Sequence, residues 1–269
     1  MTKFFKSIRK SVISEGNTTK YFKYAIGEIL LVVIGILIAL QVSNWNQSSK
    51  QKKKELNFLI QIDQDLANIL SDMETDYRSL RIGERSHFRI NNYITTDITY
   101  KDSMCFDFYW LIKDEYIYPI TSTYDAIKEE GLAIIQNDSI RQGIQAAFEN
   151  IFPRISKQNP FYPDLEGFFS PFYQTNFKIN QDSTLVMREE LPNYTLKYPY
   201  IKVINGEKHF VTVGYVPQNF QKLKRNDKFQ VLMRQAYTYR AYKIDKYRRG
   251  RNFIKDLQRK IKEELNNRK

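Results

Sequence analysis

The longest apolar stretch of the chain lies near its N-terminus. Residues 25–42 include only two polar side chains, Glu28 and Gln41, and residues 29–40 include none. As a helix, residues 25–42 would cover roughly 27 Å, close to the hydrocarbon thickness of a bilayer. A buried core helix is the alternative, but such helices usually keep a polar face, which this stretch lacks. The pattern predicts one transmembrane helix over residues 24–45.

Aromatic residues stand at both ends of the predicted span. Tyr21 and Tyr24 come before or at its start, and Trp45 closes it. Because Tyr and Trp are enriched at the headgroup level of membranes, we expect these three residues to act as interfacial anchors.

Small residues recur inside the span and suggest a packing face. Gly27, Gly35 and Ala39 lie on the same side of the predicted helix. Small residues let two membrane helices approach closely, so they favour a homodimer through the span, although such spacings also arise by chance. Glu28 is an intramembrane ionisable group, for which we keep two interpretations: a functional role, or extension of its carboxylate to the interface.

The flanking charges indicate the orientation. Six Lys or Arg residues and one acid precede the span, whereas four lysines follow it at residues 50–54. The positive-inside rule therefore favours a cytoplasmic N-terminus by a small margin. No small-residue cleavage site follows the apolar stretch, which favours an uncleaved signal anchor in the inner membrane, with residues 46–269 in the periplasm. Residues 1–23 form the basic cytoplasmic segment, and residues 1–13 are either a short interfacial helix or a frayed tail.

Two segments resemble a known family. Residues 20–46, KYFKYAIGEILLVVIGILIALQVSNWN, resemble the opening of an uncharacterised family of single-pass membrane proteins from Bacteroidota. Residues 121–148, TSTYDAIKEEGLAIIQNDSIRQGIQAAF, are similar to a second motif of that family. The resemblance implies a short basic segment, one span and a mostly helical extracytoplasmic domain. It implies no activity, because the family has no known biochemical function.

After the span, two segments carry long apolar stripes with helical spacing. The first is predicted at about residues 47–93 and the second at about residues 227–266. Apolar residues three or four apart mark one face of an amphipathic helix. We therefore predict a mainly α fold, in which the transmembrane helix is followed by a helical domain with two long antiparallel helices.

Residues 104–224 are predicted to form a helical and aromatic-rich cap between those two helices. Six of the eight prolines fall between residues 153 and 199 among many Phe and Tyr residues, which predicts an irregular but packed connection. Asp138 or Ser139 is expected to cap a short helix. The dipeptide Asn205-Gly206, between β-rich residues 200–204 and 207–213, predicts a β-hairpin.

Positive charge is concentrated in the C-terminal segment. The chain has a formal net charge of +12, and residues 222–269 hold 17 Lys and Arg against 5 Asp and Glu, which is the same surplus. Basic residues interleave there with tyrosines and could bind an anionic surface. The candidates are Arg234, Arg240, Lys243, Lys246, Arg248, Arg249 and Arg251. Anionic lipid or acidic polysaccharide fits the predicted topology. Binding of nucleic acid would require this domain to lie in the cytoplasm. The alternative to any binding role is that the basic residues form a solvated helix face.

Signals for catalysis are missing from the sequence. His87 and His209 have no partners at metal-ligand spacing, and Cys105, as the single cysteine, cannot form an intramolecular disulfide. The sequence contains no P-loop, nucleophile elbow or dinucleotide-binding fingerprint. We therefore predict no catalytic residue, no metal ligand and no cofactor.

These observations favour a non-catalytic envelope protein. The first hypothesis is an interaction or scaffold module that binds an unknown envelope protein. The second is a ligand-sensing periplasmic domain that works through a partner, because the cytoplasmic segment is too short to hold an output domain. The third is an enzyme whose site has no recognisable motif.

Overall fold

The computed structural model describes residues 18–157, 159 and 163–268. The predicted cytoplasmic segment, apart from residues 18–23, lies outside this part of the chain. The fold is mainly α, as predicted, and it forms two compact units, Met1–Asn57 and Phe58–Lys269.

The first unit contains the N-terminal part of helix α1 (Thr18–Thr95). Of the described helices, only α1 has the length and composition to cross a membrane. Its most apolar window has a mean hydropathy of 2.6, and none of that window is buried inside the protein. The helix runs on through residue 46, at which the predicted extracytoplasmic domain begins, and the domain boundaries stay predictions. Residues 46–57 are rich in Lys and Gln and contain no Pro or Gly, so nothing local interrupts it.

The second unit contains the rest of α1 and the long helix α7 (Asp227–Asn267), which pack antiparallel as predicted. Gln258 donates a hydrogen bond to the carbonyl of Asp63 at 3.1 Å, and the Tyr247 hydroxyl donates one to Asp76 at 2.9 Å. Further along α1, Arg240 reaches the carbonyl of Gly83. In these three contacts the residue number rises along α1 while that of its partner falls along α7, so the two helices run antiparallel. The predicted apolar stripes are largely buried between them.

Shorter helices lie between these two long ones in the chain. They are α2 (Cys105–Ile112), α3 (Ser122–Glu130), α4 (Asp138–Ala146), α5 (Leu165–Asn176) and α6 (Phe220–Lys224). Helix α4 continues as a π-helical turn at Ala147–Ile151, and three short 3-10 turns occur at Asp102–Met104, Leu132–Ile134 and Phe152–Ile155. The cap of α4 is Asn137, not Asp138 or Ser139, because its side-chain oxygen accepts hydrogen bonds from the N–H groups of Ser139 and Ile140.

In the described chain, two large apolar clusters and a smaller one around Ile82 and Trp110 stabilise the second unit. The first joins α1, α7, α3 and α4 around residues such as Leu66, Met73 and Ile254. The second gathers aromatic residues of α2, α5, α6 and the start of α7, including Phe108 and Phe229. The proline-rich region is thus packed, as its apolar content indicated.

Within the described residues, six short strands form three antiparallel pairs. They are β1 (Phe177–Ile179) with β6 (Tyr215–Pro217), β2 (Met187–Glu190) with β3 (Thr195–Tyr198), and β4 (Tyr200–Ile204) with β5 (Glu207–Val211). The β4–β5 pair is the predicted hairpin. Asn205 and Gly206 both have positive φ angles, 51° and 86°, as a type I′ turn requires. The other two pairs were not predicted.

Candidate functional site

The seven basic residues proposed from the sequence do not form one exposed surface. Arg240 is 1% exposed, and its guanidinium donates hydrogen bonds to the carbonyls of Leu111 and Lys113 at 2.7 and 2.9 Å. These carbonyls lie at the end of α2, where the helix leaves its last acceptors unpaired. Burial lowers the pKa of Arg240 to about 10. Arg240 therefore belongs to the interior and not to an anion-binding surface.

Lys243 and Arg251 also face protein partners. The Lys243 ammonium lies 2.7 Å from Asp114, above the ring of Tyr116, and its side chain is 11% exposed. Arg251 pairs with Glu74 on α1 and stacks on an aromatic ring. These two cations link α7 to the rest of the unit, so they are not available to an external anion.

Four of the predicted cations remain near the surface of α7. Arg248 and Arg249 are well exposed, and both pair with Asp245 on the same helix. Lys246 is half-buried beside the ring of Tyr242. Arg234 is exposed and forms no ion pair with any residue that the structure describes. The remaining basic surface is smaller than the sequence suggested, because its charge is partly neutralised locally.

A polar network is enclosed where α1 meets α7. Asp76 accepts the hydrogen bond of Tyr247, and Glu115 accepts one from Ser79 at 2.6 Å. Burial raises the pKa of Asp76 to about 7, and repulsion from Glu115 also raises it. The hydrogen bond from Tyr247 lowers this pKa, but by less. Burial also raises the pKa of Glu115. Among the described residues, no group of three His, Cys, Asp or Glu side chains is placed to hold a metal ion.

A cavity of about 580 Å³ lies between the end of α1 and the start of α7. Polar side chains of both helices line it together with four apolar or aromatic ones: His87, Asn91, Ile94, Thr95, Asp227, Gln230, Val231, Met233, Arg234 and Tyr237. The polar residues of α1 recur every four positions and those of α7 every three or four, so each set follows one helix face. We refer to this cavity as the inter-helix groove.

His87 forms the enclosed wall of the groove. Its side chain is 8% exposed, and its ring stacks on Tyr237 with centroids 5.1 Å apart and meets Phe88 edge-on. Its Nδ1 atom is buried and has no hydrogen-bond partner in the described structure. Burial, together with the charge of Arg240, lowers the pKa of His87 to about 4, so the ring is neutral at pH 7. From the sequence, we consider His87 only as a possible metal ligand, because its enclosed position depends on contacts with a helix that is distant in the chain.

The β4–β5 hairpin exposes apolar side chains on both faces. Ile201 and Phe210 are cross-strand partners, and Val203 lies on the same face. We call these three residues the hairpin surface. Ile201 is 54% exposed, Phe210 is 60% exposed and Val203 is 62% exposed. The opposite face carries Tyr200 and Ile204, which are also exposed. No other strand of the described chain pairs with either edge of this hairpin.

The predicted membrane residues lie on the exposed apolar part of α1. Cβ atoms added to Gly27 or Gly35 would meet no atom within 4 Å, and Ala39 is exposed. Glu28 is half-buried, and Trp45 is 74% exposed. The side chains of Tyr21 and Tyr24 lie outside the described part. The packing, ionisable and anchoring roles of these residues stay predictions.

Cys105 has the environment of a structural thiol. The side chain is buried, and burial raises its pKa to about 12, with nearby carboxylates adding to the effect. A thiolate is the reactive form of cysteine, and it is strongly disfavoured in this position.

Comparison with known proteins places the chain in a family. The model of the family of unknown function DUF6090 matches residues 28–167, which is slightly more than half of the 269 residues. The chain therefore belongs to this family, and the prediction of an uncharacterised family is confirmed to that extent. The bacterial group and the specific N-terminal signature stay predictions. No curated protein and no solved structure matches the chain.

Proposed function

We propose that this DUF6090 protein is a single-pass inner-membrane protein whose helical unit lies in the periplasm. In this proposal the unit is a non-catalytic interaction or scaffold module, which binds another envelope protein through the hairpin surface. The single observation that carries the proposal is the exposure of Ile201, Val203 and Phe210 on a hairpin with two open edges.

Two physical arguments connect the hairpin with binding. An isolated two-stranded hairpin is at best marginally stable in water, and neighbouring exposed apolar side chains are typical of interaction sites. The open edges of β4 and β5 also offer unpaired backbone groups, to which a partner can add a strand. Alternating side chains on the apolar face would then supply specificity.

The membrane part of the proposal rests on α1. Its apolar window is long enough to cross a bilayer, and none of that window is buried inside the protein. The surplus of Lys and Arg before the window supports an N-terminus in the cytoplasm. The bilayer is thus the first partner of the chain, and a homodimer through Gly27, Gly35 and Ala39 is a second one that we propose from sequence. Nucleic acid is not among the proposed partners.

Site-specific photo-crosslinking in cells tests the interaction. We would place a photoreactive amino acid at Val203 and, as a matched control, at Val186, which is equally exposed but lies outside the hairpin. The proposal predicts one discrete protein adduct at Val203 that is missing at Val186. It also predicts that Phe210→Ser abolishes this adduct without changing the amount of folded protein. Identical adduct patterns at the two positions, or none at Val203, would contradict the proposal.

The second candidate function is a ligand-sensing domain that works through a partner. The specific observation in its favour is the inter-helix groove, whose enclosed wall carries a buried ring nitrogen without a partner.

A further inference from the structure

The inter-helix groove lies where the apolar stripes of α1 and α7 give way to polar residues. On α1, His87, Asn91 and Thr95 follow one another at intervals of four residues. On α7, Asp227 and Arg234 bracket the facing wall. Ligand sites in helical proteins commonly lie between helices, and their volumes run from about 300 to 1,000 Å³. The volume of about 580 Å³ is within this range.

The two charged residues of the groove are separated by a defined distance along α7. Asp227 and Arg234 are seven residues apart, or about two helical turns, which corresponds to roughly 10 Å along the axis. Both side chains are exposed, and neither forms an ion pair with a residue in the described chain. One wall of the groove thus carries an acidic and a basic residue, neither in an ion pair with a described residue, whose backbone positions are roughly 10 Å apart along the helix axis.

The wall between these charges is amphipathic. Gln230 and Asn91 offer amide groups that both donate and accept hydrogen bonds. Val231 and Ile94 provide apolar contact area between them. This combination suits a ligand with a polar backbone and an apolar side chain.

The aromatic end of the groove supplies a second, independent observation. The side chain of His87 is more than nine-tenths buried and lines the groove, yet its Nδ1 atom has no hydrogen-bond partner in the described structure. Buried polar atoms are normally paired, so an unpaired one calls for an explanation, and a bound ligand is one. The neighbouring ring of Tyr237 is 39% exposed and forms a platform next to Arg234.

We propose that the inter-helix groove binds a short linear peptide with free termini, about three residues long. Arg234 receives the terminal carboxylate and Asp227 the terminal ammonium group. The length follows from geometry, because an extended chain spans about 3.3–3.6 Å per residue and three residues match the charge separation. The amides of Asn91 and Gln230 pair with the peptide backbone, and the central side chain contacts Ile94 and Val231. His87 and Tyr237 bound the pocket at the carboxylate end.

This inference goes beyond the proposed interaction through the hairpin and does not depend on it. The groove is built from α1 and α7, whereas the hairpin surface is built from β4 and β5. A variant such as Phe210→Ser is therefore expected to bind the peptide as tightly as the wild-type protein.

Calorimetric titration of the full-length protein in detergent micelles tests the proposal. The probe is the tripeptide Ala-Leu-Ala with both termini free, compared with its N-acetylated and C-amidated forms. Each modification is expected to weaken binding about tenfold. Arg234→Gln should weaken binding of the free peptide about tenfold and remove the effect of C-amidation. Asp227→Asn should do the same for N-acetylation. Lys228→Gln, a change of an exposed charge beside the groove, should have no effect.

The pattern of responses distinguishes the alternatives. Absence of saturable binding by the free tripeptide would overturn the proposal. Binding that depends on Arg234 but not on N-acetylation would also overturn it, in favour of a ligand with a single carboxylate. Equal weakening by all three charge variants would show a general electrostatic effect and would contradict a defined site.

Discussion

Arg240 lies against Gly83, the point at which a side chain of α7 passes directly over the backbone of α1. The guanidinium donates a hydrogen bond to the Gly83 carbonyl at 3.1 Å. A Cβ atom added to Gly83 would lie 2.8 Å from the guanidinium carbon and 2.8 Å from the carbonyl oxygen of Trp110. The buried cation thus joins α1, α2 and α7, and the close approach depends on the missing side chain of the glycine.

Gly83→Ala is expected to destabilise the folded state by about 1–3 kcal/mol, because the carbonyl of Trp110 is backbone and cannot move aside freely. Gly250→Ala is the matched control. A Cβ there would meet only side-chain atoms, the flexible end of Met73 at 3.0 Å and a methyl group of Ile151 at 3.1 Å, and the better helix propensity of alanine, by about 1 kcal/mol, offsets these contacts. Urea unfolding of the full-length protein in micelles measures both changes. Equal effects of the two substitutions would refute the special role of Gly83.

The long helices and the hairpin could be predicted from the sequence, but the burial of Arg240 could not. The apolar periodicity of residues 47–93 and 227–266 predicts both long helices, and Asn205-Gly206 predicts the hairpin. The partners of Arg240 come from α1 and from the end of α2, more than 120 residues away in the chain. Nothing local distinguishes this arginine from the exposed Arg248. The inter-helix groove and the pairing of β1 with β6 could not be predicted from the sequence for the same reason, since both depend on segments that are distant in sequence.

Asp76 makes stability depend on pH. Its pKa is about 7 when folded, against 3.8 for the ordinary carboxyl. Below pH 3.8 the carboxyl is protonated in both states, and at pH 4 the unfolded state has only begun to bind fewer protons than the folded state. Between pH 3.8 and pH 7 the unfolded state loses its proton while the folded state keeps it, so the folded state becomes progressively less stable, and the loss is complete above pH 7. We expect Asp76→Asn, which keeps an oxygen acceptor for Tyr247, to be more stable than wild type by roughly 1–3 kcal/mol at pH 8.5 and by little at pH 4.

The measurement for Asp76 is the difference in unfolding free energy between variant and wild type at the two pH values. Asp97→Asn, which changes an exposed carboxylate beyond the end of α1, serves as the control and should show no pH-dependent difference. A stability gap for Asp76→Asn that is the same at pH 4 and pH 8.5 would be evidence against a buried, titrating Asp76.

His87 is expected to act in the opposite direction. Its pKa is about 4 in the folded state, below the ordinary value of 6.5, because burial and Arg240 disfavour the cation. The contribution of the neutral His87 ring to the free energy of unfolding is therefore fully present above pH 6.5, and it is lost as the pH falls through 4. In an Asp76→Asn background, the protein with His87 should lose roughly 1–3 kcal/mol of unfolding free energy between pH 7 and pH 4. The additional substitution His87→Phe should abolish this loss.

The control for His87 is the other histidine of the chain. His209 lies on the exposed β5 strand with half of its side chain accessible. His209→Phe should leave the dependence of the unfolding free energy on pH unchanged. If the two variants had the same pH dependence, the enclosed position of His87 would not be the cause of the effect.

The hairpin turn gives a test that separates local order from global stability. Gly206 has a φ angle of 86°, which is strongly unfavourable for a β-branched residue. Gly206→Val should disorder the hairpin and reduce the photo-crosslink from Val203 by roughly tenfold, which corresponds to a local cost of about 1.4 kcal/mol. The unfolding free energy of the helical unit should stay within about 0.5 kcal/mol of wild type, as for most surface changes. Lys202→Val, in the exposed strand β4, should leave the crosslink intact.

The central claim, a membrane-anchored unit outside the cytoplasm, is tested most directly by cysteine accessibility in intact cells. Cys105, which is buried, would be replaced by Ala, and a single cysteine introduced at the exposed position Asn252 or at Thr2. A membrane-impermeant maleimide is predicted to label Asn252→Cys in cells whose outer membrane has been permeabilised, and to label Thr2→Cys only after lysis. Labelling of Thr2→Cys before lysis with Asn252→Cys protected would contradict the account and place the helical unit in the cytoplasm.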